Sequence, residues 1–160
     1  MLVVALALLA FLAPPSFAGR GASDEPFPPA TGAHSETGPA TALRLFASVE
    51  EAWIKSDAER LASMVDTTSV RIAVKPGAPL TAALTRGAAA FLFQDQLRLV
   101  QTRGFRVSRF EANSKRPTAR ATAIWMGDWG GQRGERSVQV TMTARSVGGV
   151  WLLTEIRAED

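Results

Sequence analysis

The chain contains no cysteine. That excludes disulfides, thiol catalysis and thiolate metal sites. It also excludes a lipid anchor, which needs an acylated cysteine at the cleavage point. Histidine is nearly absent. The single residue, His34, lies in "GRGASDEPFPPATGAHSETGPA", residues 19–40, where Phe27 is the one large apolar side chain. Such a segment cannot bury enough surface to offset its ordering entropy, so it reads as a disordered tether with His34 solvated. Ser-His-Asp catalysis then lacks a usable imidazole. Scattered acids do not make a metal shell, and no metal is expected. A phosphate-binding loop is missing too, because "GDWGGQRG" has no Lys-Ser/Thr and no following helix. No cofactor is implied.

Long apolar runs are also lacking. "MLVVALALLAFLA" falls short of the roughly 20 residues a spanning helix needs. "PPSFA" breaks it, and Ser16 and Ala18 place small residues at the −3 and −1 positions of a signal-peptidase site. Residues 1–18 therefore read as a cleaved signal peptide. No Lys or Arg precedes Arg20, so the initiator amine or a start further upstream supplies the positive end. The expectation is a free periplasmic or secreted protein without a stable membrane anchor.

What remains, residues 41–160, has the usual size of one domain. "TALRLFASVEEAWIKSD" repeats Leu43, Phe46, Val49 and Trp53 near helical spacing. Ser56-x-x-Glu59 reads as a capping box opening a short helix over "RLASMV". "DTTSVRIAVKPG" turns at Asp66 and becomes a strand with Val70, Ile72 and Val74 alternating, ended by Pro76-Gly77. Thr85 caps "RGAAAFLFQDQLRLV". Its stripe Ala89, Phe93, Leu97 and Val100, with Phe91 and Leu92 beside it, predicts a helix buried on more than one side. Gly87 in its first turn either permits close packing or merely lowers helix propensity.

From Thr102 the period changes to two. "GFRVSRFEA", "TARATAIWM", "RSVQVTMTAR" and "VWLLTEIRA" are separated by turn-rich stretches, which predicts an antiparallel meander. In the third run Val138, Val140, Met142 and Ala144 face one way. In the second, Ala119, Ala121, Ala123 and Trp125 do so. The opposite stripe, Arg120, Thr122, Gln139, Thr141, Thr143 and Arg145, reads as a solvent face, so removing both arginines should change stability by less than about 1 kcal/mol. In "AIWMGDWGGQRGERSVQV" the glycines allow the φ > 0 conformations of a long hairpin. Asp128 reads first as a turn-former. Trp129 is a lid over the sheet end or the rim of a pocket.

Residues 98–157 carry eleven basic groups against four acids. Two explanations stand: arginines on solvated strand faces, or attraction for anionic ligands or a membrane surface. No tight Lys/Arg cluster appears, which favours the first. Export argues against nucleic acid as a partner.

The order helix, capped helix, strand, helix, four long strands covers residues 41–158. It resembles the nuclear transport factor two-like superfamily, whose relatives include steroid isomerase-like and polyketide cyclase-like (SnoaL-like) proteins with a cystatin-like cone. It also resembles small exported bacterial families of unknown function within that superfamily. The resemblance is carried by "FASVEEAWIKSDAERLASMVDTTSVRIAV", "TRGAAAFLFQDQL" and "GGVWLLTEIRA". It implies an α+β fold in which N-terminal helices pack on a strongly curved antiparallel sheet, with an apolar pocket at the open end of the cone. It also implies an acid or histidine inside the cone, with tyrosine or aspartic acid donors, for enzymes of this class. Here there is no Tyr, and the strand Arg71-Ile72-Ala73-Val74 holds no acid. Two readings follow. One is an exported non-catalytic binding or scaffold domain that accepts a small apolar or anionic ligand or a second copy through its sheet face. The other is a cone-pocket isomerase, dehydratase or cyclase using Asp128 or Asp95 with arginine electrophiles. Trp53, Phe91, Trp125, Asp128, Trp129 and Trp151 are the candidates to line a pocket, though Trp53, Phe91, Phe93 and Trp125 read first as core.

Overall fold

Helix α1, Pro39–Ile54, begins where the Pro-rich stretch ends. Pro39 stands in the first turn, where a missing N–H costs nothing. The computed structural model describes residues 38–113, 115–129 and 134–160. The expected signal segment 1–18 and residues 19–37 of the expected tether, His34 among them, lie outside the described residues. Among the described residues no helix is long and apolar enough to cross a membrane.

The buried face of α1 is Ala42, Phe46, Val49, Ala52 and Trp53, while Leu43 is half exposed. The expected stripe is therefore turned by one residue at its start: Ala42, not Leu43, lies in line with Phe46 and Val49. The helix ends in a Schellman turn. Asp57 N donates to Ala52 O and Ser56 N to Trp53 O, with Ser56 at φ 53°. That occupies Ser56, so the cap of α2 (Ala58–Ser63) is Asp57, which accepts from Arg60 N at 3.0 Å. The expected Ser56–Glu59 box is displaced by one residue.

Strand β1, Arg71–Ala73, is followed by α3, Arg86–Arg98, capped by Thr85 accepting from Ala88 N. Helix α3 buries Ala89, Ala90, Phe93 and Leu97, but Phe91 is 72 % exposed. The helix packs one face, not several. Strands β2 (Gln101–Asn113), β3 (Thr118–Asp128), β4 (Glu135–Val147) and β5 (Val150–Glu159) form the expected meander. Register breaks after Thr102, Val107 and Thr143 mark the bulges that bend long strands.

The sheet runs β1-β5-β4-β3-β2 and is open. It is mixed, because β1 joins β5 in parallel, Arg71 opposite Glu155. A bridge from Val65 to Leu153 extends that edge. On the outer side of β1, Ile72 N donates to Thr81 Oγ1 and Thr81 N to Ile72 O, which covers the edge. Val70, Ile72, Ala73 and Val74 are consequently all buried, not alternately so. At the other edge, Glu50 of α1 accepts from Val107 N of β2 at 2.9 Å. The core lies between the helices and the sheet face bearing Phe105, Ala121, Ala123, Trp125, Val138, Val140, Met142 and Leu153.

Candidate functional site

The cone interior is an aromatic stack. Trp53 lies on Phe105 with ring centres 4.5 Å apart and 21° between planes. Phe93 and Trp125 meet Trp53 edge-on at 6.2 and 5.3 Å. Trp125 continues to Trp129 at 4.7 Å. These geometries are the favourable ones for quadrupolar rings, and the rings themselves supply the buried area. Each comes from a different place: α1, α3, β2, β3 and the connection after β3. The Arg136 guanidinium sits 4.6 Å from the Trp129 ring centre and its Nη1 donates to Asp160 at 2.7 Å, so a cation and its counter-charge back the last ring.

The polar atoms of this stack are all donors. Trp125 Nε1 donates to Thr102 Oγ1 at 3.1 Å. Trp53 Nε1 and Trp129 Nε1 are buried without an acceptor among the described residues. The contacts within the stack are ring packing and the Trp125–Thr102 hydrogen bond.

Of the residues singled out from the sequence, Trp53, Trp125 and Trp129 meet here. Asp128 closes β3 opposite Gln101 and Glu135, one residue from Trp129. Trp151 is buried near the β4–β5 turn, opposite Ser146, outside these ring contacts. Phe91 projects from the exposed side of α3. Asp95 is on the surface of α3, accepting from Gln96 Nε2 and 3.6 Å from Arg98 Nη2. An apolar groove of about 270 Å³ lies between α1 and β2, where Leu43, Phe46 and Ala47 face Val107 and Phe110.

The buried carboxylate among the described residues is Asp66. It accepts from Thr68 Oγ1 at 2.6 Å, Thr68 N at 3.0 Å, Ser69 Oγ at 3.1 Å and Arg145 Nε at 2.8 Å, with Arg145 Nη2 on the same oxygen. The Thr68 hydroxyl bond first, with its amide, Arg145 and Ser69, holds the acid down at about 2 against the opposing effect of burial. Such a carboxylate is too weak a base to abstract a proton from carbon. Asp66 N also donates to Leu153 O. Asp66 therefore belongs to the β5 edge, and its side chain reaches past β5 to Arg145 on β4. The turn-forming role was legible in "DTTS"; the ion pair, 79 residues away, was not. Arg145 is thus not a free solvent-face arginine, contrary to the sequence expectation.

The opposite sheet face is polar. Pairing sets Arg109, Thr122, Thr141 and Arg157 in one row, and Glu111, Arg120, Thr143 and Glu155 in the next. A depression of about 240 Å³ opens there, lined by Arg109, Glu111, Arg120, Thr122, Gln139 and Thr141. A wider one of about 440 Å³ shares Glu111 and Arg120 and adds Lys115.

No protein-family profile matches the chain, and no curated protein matches it. Solved structures do. A protein with a cystatin-like fold from Caulobacter vibrioides is 18 % identical, with TM-score 0.61 over 76 % of this chain and 88 % of its own. A DUF4783 family protein from Bacteroides uniformis is 15 % identical, with TM-score 0.59 over 71 % and 94 %. A protein from Catenulispora acidiphila with a ketosteroid isomerase-like fold, in complex with trimethylamine, is 9 % identical, with TM-score 0.56 over 72 % and 84 %. The chain has the nuclear transport factor two-like fold.

The fold thus presents two unlike surfaces from one sheet. Its inner face is aromatic and packed. Its outer face carries arginines, threonines and a glutamine around an open depression.

Proposed function

We propose that the chain is an exported, non-catalytic binding or scaffold domain that works through its outer sheet face, toward a ligand or a second copy of itself. The observation that carries this is the aromatic stack of Trp53, Phe93, Phe105, Trp125 and Trp129 in the interior. Rings at these separations occupy the space in which an acid and a substrate would have to meet. The acid that is buried, Asp66, is committed to Thr68, Ser69 and Arg145. Export is supported by the apolar run and the Ser16-Phe17-Ala18 site.

The test has two arms. Protein incubated with a steroid or cyclic ketone in deuterated buffer should show no exchange at the α-carbon above the buffer rate. Exchange that is lost in Asp128→Asn would establish an enzyme instead. Sequencing of the mature protein should begin at Gly19; a start at Met1 would remove the export half of the reading.

A further inference from the structure

We infer that the outer-face depression is a binding site for a small oxyanion, a phosphate or an organic carboxylate carrying further oxygen atoms. This rests on the reading of the chain as a binding domain and names the ligand class. Thr141 is 9 % exposed and lines the depression, and no hydrogen bond is made from its hydroxyl, which is open to solvent there, among the described residues. Arg120, Thr122 and Gln139, which line the same depression, likewise have no ion pair or hydrogen bond from their side chains among the described residues. Four polar side chains therefore converge with their bonding capacity unused. Neighbouring arginines behave differently: Arg71 pairs with Glu155, Arg157 with Glu159 and Arg145 with Asp66.

The charge has the right sign. Glu111 lies in the lining but is held by Arg109 at 2.7 Å, which leaves Arg120 as the uncompensated charge of the lining. Arg106 stands one row away in the register, and Lys115 borders the adjoining depression. A guanidinium with two hydroxyls and an amide offers several N–H and O–H donors at once, the arrangement that oxyanions reward with short, charge-assisted bonds. The depression is open and small, about 240 Å³. That admits phosphate or a sugar acid and excludes a polymer lying wholly inside.

The experiment is a titration of the full-length mature protein with inorganic phosphate and, separately, with glucuronate, followed by the methyl resonances of Thr122 and Thr141. Saturable shifts at both threonines are expected with one or both ligands; which one saturates first separates the inorganic from the organic source. Arg120→Ala should weaken binding about tenfold or more, and Thr141→Val several-fold, with unchanged thermal midpoints. Arg44→Ala, an exposed arginine on α1, removes the same charge elsewhere and should leave affinity as it was. No saturable shift with either ligand at tens of millimolar would overturn the inference, as would equal losses in Arg44→Ala and Arg120→Ala. So would a stable dimer that buries Thr141 and binds neither ligand. The isomerase-type exchange assay is independent of these outcomes: activity there removes the non-catalytic reading without touching the titration, and an inert protein that binds neither anion removes only this inference.

Discussion

Asp66 shows how much one side chain can hold together. It closes its own turn through Thr68 and Ser69, ties residues 64–66 to β5 through its amide, and clamps Arg145 on β4. Its pKa is lowered on folding from 3.8 to about 2, chiefly by the Thr68 hydroxyl bond. The unfolded chain therefore binds the proton more readily. The stabilisation is complete above about pH 5 and is lost as pH falls from there through 2. Asp66→Asn should remove much of that acid-side slope and lower stability by about 2 kcal/mol at neutral pH, as chemical denaturation at several pH values will show. Arg145→Ala should cost about 1.5–3 kcal/mol, since a buried carboxylate loses a charged donor, while Arg120→Ala stays near zero. This divides a pair that the strand pattern alone made equivalent. Ser56 is the converse case. A serine in the left-handed region carries strain that glycine does not, so Ser56→Gly should raise stability by about 0.5–1 kcal/mol.

Elements differ in how far neighbours or distant partners decide them. The two-residue period of β3 and β4 places Trp125, Val138, Val140 and Met142 inward and Arg120, Thr122 and Gln139 outward, and the structure agrees. Local chemistry was enough there, as it was for Thr85 at the start of α3. Phe91 was misleading because an aromatic beside an apolar stripe reads as a wider stripe; only the absence of anything packed over that side of α3 leaves it exposed. Strand β1 could not be placed, since its three residues carry no signal for a parallel partner 84 positions away. The outer-face site was half legible: the polar stripe was visible, but not that Arg145 leaves it for Asp66 or that Arg109 and Glu111 join it from β2. Two glycines separate packing from propensity. A β-carbon on Gly87 would meet nothing within 4 Å, so Gly87→Ala should stabilise α3 by about 0.5 kcal/mol. A β-carbon on Gly127 would stand 2.6 Å from Val100 Cγ1 and 3.2 Å from the Gln101 carbonyl. Gly127→Ala should therefore cost about 1–3 kcal/mol by pushing β3 away from the start of β2. Thermal or denaturant midpoints of the two variants should move in opposite directions.

On the scale of the molecule, the sheet separates an interior packed with its own rings from a polar exterior. The strand order has a further consequence in time. The meander β2–β5 closes between neighbours, but β1 and the Asp66 clamp wait for β4 and β5, the last two strands of the sheet in sequence. Closing so long a loop is slow relative to hairpin formation. A chain emerging from the ribosome has β1, Val65 and Asp66 exposed while their partners, residues 145 to 157, are still unmade. A chain ending at Val147 should accordingly show no cooperative unfolding transition. The fold is thereby completed only once residues 150 to 157 have left the ribosome, and until then the segment around Asp66 stays open to chaperones and proteases.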